Sequence, residues 1–202
     1  MKMNESIAWL MSRRSIRRYL PDPVPPELID RLLTAATWAP SAHNRQPWRF
    51  AVITRTVARH RLAMAMGQKL RADLTADNIP TGVIEKDAGR SYERITSAPA
   101  LILLCLTMTD MDSYPDETRQ DNEWIMAVQS TAMAGQNFLL AAHALGLGAC
   151  WMCAPLFCPE VVKETLGLPA DWQPQALLTL GYPAEDRHKT RYPLETRVLY
   201  VE

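Results

Sequence analysis

The densest chemistry in the chain lies between Pro40 and Trp48, where PSAHNRQPW sets Ser41, His43, Asn44, Arg45 and Gln46 between two prolines. Proline fixes φ, so the segment is stiffened at both ends. Asn and Gln each offer a carbonyl acceptor and an NH2 donor, the complement that the edge of a polar heterocycle needs. A polar surface loop draws on the same residues. Upstream, Arg13, Arg14, Arg17 and Arg18 surround a single hydroxyl, Ser15. Guanidinium forks meet phosphate oxygens in a bidentate way, so this cluster can hold a phosphomonoester, although a solvated basic face or a nucleic-acid patch has the same composition. Lys189 and Arg191, in HKTRYPLE, add positive charge if the tail folds back onto that site.

Cys150 and Cys153 form a C-x-x-C, with Cys158 beyond it. A thioredoxin-type pair opens a helix, where the dipole lowers the thiol pKa; this pair sits where a strand is expected to end. Zinc would need a fourth ligand, and His143 and His188 lack the usual spacing. Buried core thiols come first, then pocket lining, then a metal or disulfide. His60 reads as a surface-helix residue and His143 as helix-packed. His43, inside the polar loop, is the histidine with a functional reading. Asp110, Asp112, Asp116 and Asp121 lie within Thr107 to Asn122 without a regular ligand spacing, so a solvated loop is expected there and no metal.

The elements that position these residues alternate between helix and strand. Helices are expected from Asn4 to Ser12 and from Pro26 to Trp38, the latter with Leu28, Ile29, Leu32, Leu33 and Ala36 on one face. The four prolines of PDPVPP separate them. A strand from Arg49 to Ile53 leads into a helix from Val57 to about Leu74. Asp77 to Asp87 reads as a loop over a pocket, followed by a helix from about Ile84 to Ile95. Ala100 to Leu106, ALILLCL, is a continuous apolar run and is expected mid-sheet, buried on both faces. Trp124 to Leu145 is apolar or small nearly all round, which predicts burial in a core or an interface and favours a homodimer. Ala149 to Met152 and Gln175 to Leu180 complete the sheet, with a helix from Pro159 to Leu166 between them.

Composition bounds the function. The 202 residues are 48% hydrophobic and 22% charged, enough for one domain with a sizeable core. Lys plus Arg and Asp plus Glu are both 22, so no net field draws in nucleic acid or an anionic membrane. The arginine cluster is a local device. Four cysteines without a secretory signal point to a reducing cytoplasm. Ser12, Arg13, Arg14 imitates a twin-arginine export signal, but no apolar stretch follows it. No G-x-G-x-x-G follows a strand, which argues against a doubly wound dinucleotide fold.

The segments RRSIRRY, APSAHNRQPWRF, GLGACWMCAP and HKTRYPLE, in this order, resemble the FMN-dependent nitroreductase family. Within it, DLTADNIP, LTMTDMDSYPD and GACWMCAPLFCPEVV are most similar to the flavin-reductase domain of the bifunctional protein that makes coenzyme F-420. The resemblance implies a single α+β domain over residues 1–202, a mixed, largely antiparallel sheet flanked by helices, in a domain-embraced homodimer. Alternating elements alone would suggest a parallel sheet.

On the matching positions the resemblance implies that Arg13, Arg14, Ser15 and Arg17 cradle the FMN phosphate and ribityl chain, with Lys189 and Arg191 closing over the phosphate. Pro40, Ser41, Ala42, Asn44 and Gln46 correspond to the loop that reaches the isoalloxazine, contributed by the other subunit. Trp151, Met152, Cys153 and Ala154 match the strand end against the ring, with a backbone N–H near Cys153 facing the flavin N5. Arg94 matches a basic residue at the pyrimidine edge. Some members carry an acidic residue and a glycine where Cys153 and Ala154 stand, which bears on the ring's tuning. The implied activity is ping-pong hydride transfer from NADH or NADPH to a small-molecule acceptor such as a nitroaromatic or a quinone, the flavin carrying the chemistry. Reduction of a deazaflavin precursor and a non-catalytic flavin-binding module are the alternatives.

Overall fold

The Asn4 side chain accepts from the Ser6 N–H at 2.9 Å and so caps α1, Glu5–Ser12. Proline at the first turn starts α2, Pro26–Thr37, whose Ile29, Leu32 and Ala36 are buried. The chain then runs through β1 (Trp48–Ile53), α3 (Thr56–Ala76), α4 (Thr81–Thr96), β2 (Ala100–Leu106) and α5 (Glu117–Ala144). It ends with β3 (Gly148–Met152), α6 (Pro159–Leu166) and β4 (Gln173–Gly181). The computed structural model describes residues 4–201; the outermost positions of the expected 1–202 domain lie outside the described residues.

The four strands form one sheet in the order β1-β2-β4-β3, and all three pairings are antiparallel. The expected mixed character shrinks to one isolated parallel bridge, Ser15 to Ala149. Every residue of β2 is buried, which explains why its sequence shows no alternation. Ile102 and Leu104 face a core with α2 and α5, while Leu101, Leu103 and Cys105 face a core with α3 and α6. The sheet is thus covered on both sides. Among the described residues no helix is long and apolar enough to cross a membrane.

Two expectations need correction. The loop over Asp77 to Asp87 is only a short turn, because Pro80 is the N-cap of α4 and Gly82 lies in its first turn. The Thr107 to Asn122 loop ends at Asp116, whose carboxylate accepts from the Arg119 N–H at 3.0 Å and starts α5 at Glu117. In α5, Ala127, Ala134, Phe138 and Ala142 face the core, and Trp124, Ile125 and Met133 are exposed on the single chain.

Candidate functional site

The arginine cluster is fixed by the edge strand. Ile16 N–H donates to Ala149 O at 3.1 Å, so residues 15 and 16 run beside the start of β3. That approach needs Gly148: a Cβ there would stand 2.8 Å from the Ile16 Cβ. On the other side, Arg17 N–H donates to Glu185 Oε1 at 2.8 Å, and Ala184 N–H to Arg18 O at 3.0 Å. Residues 184 and 185 of the C-terminal segment therefore lie against the cluster.

The electrostatics there are unbalanced. Arg14 Nη1 donates to Met11 O and Arg13 O at 2.6 and 2.7 Å, yet Arg14 Nε and Arg13 Nη1 are buried with no hydrogen-bond partner. Burial, then the charges of Arg191 and Arg14, pushes the Arg13 pKa below its ordinary range. Among the described residues neither Arg13 nor Arg14 forms an ion pair with a carboxylate. Arg13 and Arg14 are half-buried with donors to spare, which fits a phosphate monoester, and the pocket they line also holds Glu185 and Asp186. Lys189 and Arg191 are both exposed.

The polar loop is shaped by backbone strain. His43, Asn44 and Gln46 have φ of 49°, 54° and 51°, a left-handed region that non-glycine residues seldom adopt. Two hydroxyls hold it: Ser41 Oγ accepts from Gln46 N–H, and Ser130 Oγ of α5 accepts from Ala42 N–H, each at 3.1 Å. Ion pairs from Arg45 to Asp112 and from Arg49 to Asp110 tie it to the segment after β2. Pro40, Asn44 and Gln46 are left exposed, with Gln46 Nε2 donating to Asn44 Oδ1 at 3.3 Å. The side-chain amides thus face outward.

Trp151 and Met152 end β3 half-buried, and Ala154 begins the 3-10 turn that follows. All four cysteines are free; Cys105, Cys150 and Cys158 are buried, but Cys153 is exposed and accepts from Trp151 Nε1–H at 3.1 Å. For Cys153, exposure overturns the leading core-thiol reading and leaves pocket lining. His60 is also less of a surface residue than expected, with Nδ1 and the Tyr92 hydroxyl 2.8 Å apart.

Arg94 meets Arg17 in a cavity of about 380 Å³, where Arg18, Arg90 and Arg187 join them. Arg18 belongs to the cluster seen in the sequence, whereas Arg90 and Arg187 were not legible as site residues. Arg90 and Arg94 stand four apart on one helix face, which is the sequence signal that links Arg90 to the site. The structure does not bring every expected contact together within one chain. The polar loop precedes β1, the Arg13–Arg17 segment lies along β3, and these are the two opposite edges of the sheet. Three inter-strand spacings, roughly 14 Å, separate the edges.

The chain belongs to the nitroreductase family, whose family model matches residues 10–182. It is 34% identical over 179 residues to a Methanothermobacter thermautotrophicus protein provisionally named NADH dehydrogenase/NAD(P)H nitroreductase, covering 88% of this chain and 76% of that one. A Thermus thermophilus NADH dehydrogenase is 31% identical, with 94% and 93% covered. Among solved structures, a provisionally named nitroreductase of Desulfovibrio desulfuricans in complex with FMN superposes with a TM-score of 0.76 at 28% identity, over 100% and 99% of the two chains.

Proposed function

We propose that residues 1–202 form one domain of a cytoplasmic, homodimeric FMN-dependent NAD(P)H oxidoreductase. The observation that carries this reading is the half-buried Arg13, whose buried Nη1 has no hydrogen-bond partner, beside Arg14 and Arg191: one phosphate would satisfy these donors. Arg13, Arg14, Ser15 and Arg17 would hold the FMN phosphate and ribityl chain, with Lys189 and Arg191 closing over them. Bound there, FMN supplies two-electron transfer, taken from NADH or NADPH and passed to a nitroaromatic or quinone in ping-pong order.

The chain's own residues position and shield. The Trp151 to Ala154 strand end offers a wall and a backbone N–H. Arg94, with Arg17, places positive charge where negative charge would gather on a ring edge. Because the polar loop lies at the far edge of the sheet, Pro40, Ser41, Ala42, Asn44 and Gln46 serve the site of a second copy. The exposed Trp124, Ile125 and Met133 on α5 supply apolar surface for that contact. Four free cysteines fit a reducing compartment.

A second reading, reduction of a deazaflavin precursor, is favoured by the same arginine cavity. Arg90 already pairs with Asp87 and Arg187 with Glu185, and Glu93 lines the cavity as well, so Arg17, Arg18 and Arg94 are the charges there that would meet an acceptor with anionic groups. An absorption spectrum of the purified protein, followed by anaerobic NADH or NADPH, tests the main reading. FMN should bind far more tightly than riboflavin, since each charge-assisted contact contributes roughly 1.5–3 kcal/mol. Arg13→Ala with Arg17→Ala should abolish retention. Equal affinity for FMN and riboflavin rules the phosphate assignment out.

A further inference from the structure

Glu123 stands near the start of α5 with only 1% of its surface exposed, and its Oε2 atom is buried without any hydrogen-bond partner. An orphaned carboxylate oxygen in a protein interior is costly and calls for a reason. Around it, three ligand atoms converge from distant parts of the chain: a ring nitrogen of His43, a carboxylate oxygen of Asp112 and one of Glu123 lie within 4.8 Å of one another. The strained left-handed backbone at His43, φ 49°, helps to place its ring there.

We propose that His43, Asp112 and Glu123 bind a divalent transition-metal ion, with Zn²⁺ as the fitting occupant. One imidazole and two carboxylates form a mixed N/O set that zinc accepts at 2.0–2.2 Å, roughly, in tetrahedral geometry with water as the fourth ligand. Ligand atoms at that distance from one ion lie about 3.4 Å apart, so side-chain rotation closes the site without moving the backbone. Asp112 can serve with one oxygen while the other keeps its pair with Arg45. Exposed His43 leaves a path for entry. Sequence spacing hides this set because its members come from the polar loop, the segment after β2, and α5.

The inference stands independently of flavin binding. An ion there would staple the 40–47 loop to α5, alongside the hydrogen bond from Ala42 N–H to Ser130 Oγ and the packing of Ala42 on the cluster that holds Ala127, and would neutralise the buried Glu123. The site would therefore stiffen the loop.

The test uses full-length protein purified without a metal-affinity tag, dialysed against chelator, and titrated with Zn²⁺ against a chromophoric competitor. One equivalent per chain is expected, with a rise in Tm. Glu123→Gln, which keeps shape and removes charge, and His43→Ala, at an exposed position, should each weaken binding more than about 100-fold, beyond what changes in supporting residues produce. If Glu123→Gln fails to fold, His43→Ala decides alone. Absence of saturable binding overturns the proposal. So does binding unchanged in His43→Ala, or lost in Cys153→Ser instead, since the ion would then sit elsewhere.

Discussion

The six-membered ring of Trp151 occupies the place where a side chain at Gly135 would stand: a Cβ built there meets Trp151 Cζ3 at 2.3 Å and Leu104 Cδ2 at 2.9 Å. What lets α5 come close to the sheet is therefore a missing side chain opposite a tryptophan, at the strand end assigned to the cofactor. From sequence Gly135 is one residue in a segment that is apolar or small nearly all round. Its actual neighbour is an aromatic ring from β3.

Gly135→Ala should destabilise the protein by roughly 1–3 kcal/mol through overpacking, and displace Trp151. Trp151→Phe, a smaller ring, should relieve part of that loss in the double variant. Denaturant unfolding of the four proteins gives the coupling energy. Additive effects would show that the two residues do not meet.

The opposite-edge placement of the polar loop and the arginine cluster leads to a prediction about assembly. Light scattering should return a dimer, burying more than the roughly 2,000 Å² that marks many obligate pairs. Ile125→Arg and Met133→Glu, on the exposed face of α5, should yield monomers that lose flavin. Monomers that keep stoichiometric flavin would sink the shared-site reading.

How far the sequence could be read follows from how local each signal is. Strand β2 is legible because seven consecutive apolar residues have no other economical fate. The arginine cluster and the polar loop are legible because their chemistry is contiguous. The start of α4 is hidden because Pro80 and Gly82 read as loop residues although they cap and open a helix. Asp116 is hidden likewise, as one acid among several. Strand direction and the gathering of Arg18, Arg90 and Arg187 around Arg94 depend on non-local pairing, which no spacing within one segment encodes.

His143 should make the docking of α1 sensitive to pH. Its ring stacks on Trp9 with centroids 5.3 Å apart, and Nε2 lies 2.8 Å from Ser12 Oγ. Ser12 already donates to Trp9 O at 2.7 Å, so it accepts from the imidazole. Burial, then the charge of Arg13, lowers the His143 pKa. The neutral ring is the folded form, so the contribution is present above the ordinary histidine value of about 6.5 and is lost as pH falls through the lowered folded value. Tm should fall with acidification across that window. His143→Phe, which keeps the stack, should flatten the dependence; an unchanged slope would remove His143 as its source.

The cysteines should not carry electrons. Burial pushes the Cys105 thiol up to about 12 and raises Cys150 and Cys158 as well, the pull of Arg17 on Cys150 notwithstanding. A thiol with a raised pKa is a poor nucleophile and a poor partner for disulfide exchange. Cys158 packs beside Val162, and its thiol donates to Ala154 O at 3.5 Å, whereas Cys153 is exposed and acts as an acceptor for Trp151. Cys153→Ser and Cys158→Ala should therefore leave reduction of bound flavin by NAD(P)H largely intact. Removing one buried sulfur at Cys158 should cost stability on the order of 1 kcal/mol, and Cys153→Ser should at most change acceptor preference. Anaerobic stopped flow on the two flavin-loaded variants, monitored in a single turnover, separates the readings: normal bleaching of the oxidised spectrum leaves the flavin as the sole carrier, while a block in either variant with flavin still bound would establish a thiol relay.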